Sequence, residues 1–109
     1  MNVKLYLWQR GTAALLAPLV LVHIGVIFYA TQKGLSAADI LSRTRGSVAW
    51  ALFYGAFVAA ISIHASIGLR TVLAEWSPLR GRGLDAAVIV FGLLLAVLGL
   101  RAVAAVVMP

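Results

Sequence analysis

Two imidazoles stand inside stretches that carry no formal charge: His23 lies between Arg10 and Lys33, and His64 between Arg45 and Arg70. They are the only histidines in the chain. An imidazole among apolar side chains is costly unless something satisfies it. A backbone carbonyl or a Ser/Thr hydroxyl on a neighbouring helix does so structurally. Chemically, a neutral imidazole aimed into a helical bundle suits axial ligation of haem iron. Arginines mark the ends of the same stretches. Arg10 and Arg70 suit headgroup anchoring, or the pairing of guanidinium forks with haem propionates. Arg101 lies inside the last apolar stretch, where it either snorkels to the interface or neutralises a propionate of an outer haem.

The elements that must position these residues are membrane spans. The 109 residues are 63% hydrophobic and 11% charged, with a mean hydropathy of +1.05. Soluble domains sit near half apolar and about a quarter charged. No residue carries a formal charge from Arg10 to Lys33, from Arg45 to Arg70, or from Asp85 to Arg101. A helix needs about 20 apolar residues to cross the hydrocarbon core. These gaps predict an all-α chain, one transmembrane domain over 1–109, with helices near 9–31, 46–72 and 84–107. The third gap suffices if Arg101 is tolerated near its end. No alternating ten-residue segments point to a barrel. The first apolar stretch is too long for a cleaved signal and no small-x-small site follows it.

The chain contains no cysteine, which excludes a disulfide framework, iron–sulfur ligation and covalent haem attachment. The net charge of +6 comes from basic residues at segment ends. That is a topology signal, with no nucleic-acid partner implied. Lys4, Arg10, Arg70, Arg80 and Arg82 fall on one side, and Lys33, Arg43 and Arg45 on the other. The balance places the N-terminus in the cytoplasm and the C-terminus outside. The spans contain no Asp or Glu between their flanking charges, which argues against a proton- or cation-coupled transporter. Three helices are too few to enclose a pathway, so a partner chain is expected to pack against them.

The connections agree with this division. Ser36 and Asp39 form a capping pattern that predicts a short surface helix before the second span. Pro78, Gly81 and Gly83 separate the second span from the third. Pro18 removes a hydrogen bond inside the first span and is expected to kink it.

The depths of the histidines differ by about 15 Å at a rise of 1.5 Å per residue. One iron cannot take both. Two haems stacked across the bilayer would use one each, with partner-chain imidazoles opposite. Ala60, Phe57, Phe53 and Trp50 follow His64 along its helix face. Small residues followed by aromatic ones suit a flat macrocycle and equally suit helix packing. Gly68, four residues after His64, leaves room for a ring edge or a neighbouring helix.

"QRGTAALL" at the start of the first span and "HASIGLRTVLAEW" at the end of the second together resemble the small cytochrome b anchors of succinate dehydrogenase and fumarate reductase. The resemblance is nearest to the D-type anchor, with its Arg-x-Thr-Ala start, its His, its Gly four residues on and its acidic–aromatic pair. It covers nearly the whole chain. It implies a membrane anchor of succinate:quinone oxidoreductase in a bacterial inner membrane, passing electrons between an iron–sulfur subunit and quinone. The dicarboxylate chemistry would belong to other chains. His64 would be an axial ligand of haem b, with the opposite ligand from a C-type cytochrome b anchor subunit, and Arg10 would lie near the propionates. Trp76 matches a tyrosine that hydrogen-bonds ubiquinone, and Glu75 matches an aspartate, which places both near the quinone site. An indole donates but does not accept. His23 matches the helix I histidine of diheme members, with a second haem near the outer face. The implied partners are the C-type anchor, the iron–sulfur subunit, the flavoprotein and the bilayer. The competing readings are a haem-free anchor and an unrelated small transporter or assembly subunit.

Overall fold

The computed structural model describes residues 3–108 as four helices: α1 (Val3–Lys33), α2 (Ala37–Thr44), α3 (Val48–Trp76) and α4 (Gly81–Val107). Three of them, α1, α3 and α4, are long and apolar enough to cross a membrane. The molecule is a rod 48 Å long and 23 by 22 Å across. That length matches a bilayer with its headgroups, about 40–45 Å.

The spans run longer than the charge-free gaps predicted. α1 is already helical at Val3, and Lys4, Gln9 and Arg10 are good helix formers that extend it ahead of the charge-free gap. It continues through Pro18 to Lys33. α3 runs past Arg70 to Trp76, because its stop is the Ser77–Pro78 pair. Ser77 caps it there, its amide and its hydroxyl both donating to the Leu73 carbonyl at 3.0 and 2.7 Å. Ser47 is the N-cap of α3 and accepts from the Trp50 amide at 3.2 Å. α2 forms where its cap predicts: Ser36 Oγ accepts from the Asp39 amide at 3.1 Å and donates to the Asp39 carboxylate at 2.7 Å. Gly34 turns the chain into it at φ 129°, and any Cβ there would collide with the Asp39 carboxylate.

α3 is the central element, packed against α4 on one flank and α1 on the other. Both neighbours are antiparallel to it. Arg70 meets Asp85 at one end of the α3–α4 pair, and Val58 meets Gly99 toward the other. Glycine lets these helices approach: a Cβ on Gly92 would lie 2.5 Å from Ser66 Oγ. Very little is buried inside the chain. The buried residues of the spans are Thr12 on α1, Phe57, Ala60, Ser62 and Ile67 on α3, and Leu84 and Val88 on α4. Large apolar side chains from Leu7 to Leu100 face outward, as they do where lipid or another apolar chain is the solvent.

The loop after α2 closes the far end of α4. Thr44 Oγ1 donates to the Val106 carbonyl and the Gly46 amide to the Val107 carbonyl, both at 2.6 Å. Two of the carbonyls that a helix C-terminus leaves unpaired are thereby satisfied.

A polar imidazole pair and two clefts

Antiparallel packing of α1 on α3 brings the start of one helix to the second half of the other. Thr12 of α1, buried between them, places its Oγ1 3.2 Å from His64 Nδ1. The same hydroxyl lies 2.7 Å from the Trp8 carbonyl and 3.1 Å from that of Gln9. A hydroxyl that gives its one proton to the Trp8 carbonyl accepts from His64 Nδ1–H, and in that tautomer the ring's lone pair lies on Nε2. Below His64, Gly68 makes room for α1 itself: a Cβ there would touch the Gln9 amide nitrogen at 3.5 Å.

His23 is placed differently. Its ring packs edge-on against Tyr54 and Phe57 of α3, with centroids 5.8 and 5.3 Å away. Trp50, Phe53, Tyr54 and Phe57 form one connected aromatic group. The aromatic stripe on α3 therefore serves His23, across the α1–α3 interface, more than a neighbour of His64. His23 Nδ1 is buried without a hydrogen-bond partner among the described residues. The ring lines a cleft of about 760 Å³ beside α2, together with Tyr29, Arg43, Thr44, Trp50 and Tyr54. Arg43 is fixed at its rim, donating to the Gly34 carbonyl at 2.9 Å and lying 5.5 Å above the Tyr29 ring. His23 contacts α3 seven to ten residues from His64, so the two imidazoles sit about 10–15 Å apart in depth.

A second cleft, of about 380 Å³, opens at the His64 end of the rod between the start of α1 and the last turns of α3. Tyr6, Arg70, Thr71 and Glu75 are its polar lining. Glu75 thus faces a cleft. Trp76, the neighbouring sequence candidate, is 83% exposed at the helix end and lies outside that lining. Arg70 also grips the exposed Asp85 of α4 at 3.1 Å. Arg10 is exposed and lies 5.7 Å over the Tyr6 ring, two residues from Thr12. Arg101 is exposed on α4, two residues past the Gly99–Val58 contact and so near the depth of His23. The structure separates the site candidates into an end holding His64, Arg10, Arg70 and Glu75 and a level holding His23 and Arg101.

Among the described residues no three His, Cys, Asp or Glu side chains gather to hold a bare metal ion. His64 is a single half-buried imidazole, and a metal held by it would need its other ligands from elsewhere. Thr12 and Tyr6 escaped the sequence reading as site residues. Thr12 stands 52 residues from its partner, a separation with no local signature.

The model of the family described as succinate dehydrogenase/fumarate reductase transmembrane subunit matches residues 1–105. No curated protein and no solved structure matches the chain.

Proposed function

The chain belongs to the succinate dehydrogenase/fumarate reductase transmembrane subunit family, and on that premise we propose that it holds haem b through His64 and shapes one wall of a quinone site. The observation that carries this reading is the Thr12–His64 hydrogen bond at 3.2 Å. With the ring donating from Nδ1, that bond would leave Nε2 to ligate and hold the plane of the ring. A C-type cytochrome b anchor would supply the opposite ligand. The dicarboxylate chemistry, flavin and iron–sulfur clusters would reside on soluble partner subunits at the cytoplasmic face, where the N-terminus lies in a bacterial inner membrane.

Bound haem supplies a one-electron carrier between iron–sulfur subunit and quinone. The chain's own residues hold and surround it. His64 provides the axial nitrogen. Arg10 lies near the same depth and would pair with a propionate. Tyr6, Arg70 and Glu75 line the cleft between α1 and α3, and a quinone head would occupy it. A phenol and a guanidinium donate hydrogen bonds to a quinone carbonyl, and a carboxyl can pass protons to it. Trp76, at the helix end, suits the rim of that cleft.

A second reading adds an outer haem at His23. It is favoured by the cleft of about 760 Å³ which that ring lines and by the buried, unpaired Nδ1. Arg101 lies near the depth needed for its propionate. A pyridine haemochrome assay of the purified complex tests both. Loss of b-type absorption in His64→Ala is the expected result. Two haems in the wild type, with one lost in His23→Ala, assign the outer site. Absence of b-type bands from the wild type removes the haem reading and leaves a haem-free anchor.

A further inference from the structure

We propose that Thr12 is a positioning residue for His64: its hydroxyl, oriented by the Trp8 carbonyl, selects the imidazole nitrogen that ligates and sets how strongly it donates. The inference rests on the haem reading given above. Thr12 is the one buried polar residue of α1 among those described, and it has no other evident reason to be polar. Its hydroxyl is engaged three ways, to the Trp8 carbonyl at 2.7 Å, the Gln9 carbonyl at 3.1 Å and His64 Nδ1 at 3.2 Å. A helix does not require the first two bonds, because Trp8 and Gln9 already have intrahelical acceptor roles within α1. Their effect is to consume the hydroxyl proton and present an oxygen lone pair to the imidazole.

Two consequences follow for the ring. With Nδ1–H committed to Thr12, the neutral imidazole carries its free lone pair on Nε2, away from α1. The bond also pulls electron density toward Nε2, which makes the ligand more basic and favours the oxidised iron. Without it, the ring can rotate about its side-chain torsions and the donor strength falls. Gly68, one turn on, faces the Gln9 side chain of α1, whose amide nitrogen would lie 3.5 Å from a Cβ there.

The test uses the purified complex carrying Thr12→Val, which keeps the shape and removes the hydroxyl, with Thr12→Ser to restore it. Thr12→Ala replaces the valine variant if that one does not assemble. Expected for the hydroxyl-less variants are haem affinity weakened about 10-fold or more, a midpoint potential shifted upward and a displaced low-spin EPR g-maximum. Thr12→Ser should return the potential and the EPR signal to wild-type values. A purely packing role moves neither readout in the isosteric valine variant, so wild-type potential and EPR position in Thr12→Val overturn the proposal. His64→Ala separates this failure from that of the underlying reading: haem content unchanged in His64→Ala sinks the ligand assignment itself, whereas loss there with an unaltered Thr12→Val sinks the positioning role alone.

Discussion

Arg70 of α3 holds Asp85 of α4 through one carboxylate oxygen, with Nη2 at 3.1 Å and Nε at 3.3 Å. The pair staples the end of one span to the start of the next, directly across the short connection through Pro78. It also fixes the guanidinium that lines the cleft beside Tyr6 and Glu75. With side-chain exposures of 34% and 54%, the pair is screened by solvent. A double-mutant cycle on Arg70→Ala and Asp85→Asn should give a coupling below about 1 kcal/mol, shrinking as salt is raised. Thermal unfolding of the detergent-solubilised complex measures it. A salt-independent coupling of several kcal/mol would contradict this placement.

Gly99→Ala should cost more than its single methyl suggests. The added Cβ would lie 2.6 and 2.9 Å from the two γ-carbons of Val58. A β-branched side chain on a helix has one favoured rotamer and little freedom to yield. Forcing α3 and α4 apart is expected to destabilise by about 1–3 kcal/mol. A thermal midpoint equal to that of the wild type shows that the helices approach less closely than the glycine implies.

In a complex whose haem is held by His64 alone, His23→Phe should not lower the thermal midpoint. The ring keeps its edge contacts with Tyr54 and Phe57, and the substitution removes a buried nitrogen that lacks a partner among the described residues. An unpaired buried polar atom costs about 1–3 kcal/mol. A lowered midpoint with unchanged haem content reveals a polar partner for His23 on another chain.

Thr44→Val should loosen the C-terminal end of α4. The hydroxyl bridges the Ile40 carbonyl at 3.1 Å and the Val106 carbonyl at 2.6 Å, joining α2 to the last turn of α4. Loss of the bond is expected to cost about 1 kcal/mol and to speed hydrogen exchange locally. Exchange measured for amides of residues 104–107 reads this directly, and rates equal to the wild type would place the closure elsewhere.

The number of spans was legible in the sequence: two charge-free runs have bilayer length, and the third reaches it once Arg101 snorkels. The same is true of α2, whose Ser36–Asp39 cap is a local pattern of backbone and side-chain groups. Span ends were less legible. The second span was expected to end near 72, and α3 runs on to Trp76, up to the Ser77–Pro78 pair.

What the sequence could not decide was which residues meet. A membrane helix is apolar on every side, so no polar stripe tells the inward face from the lipid face. Only the packed structure placed α3 between α1 and α4, gave the aromatic stripe of α3 to His23, turned Trp76 outward and put Thr12 against His64. Those choices come from close approach at glycines and from the few polar atoms that must find partners across 50 or more residues of chain, as Thr12 and His64 do across 52. The residue types announced that an imidazole needed satisfying; the tertiary structure chose the hydroxyl that meets it.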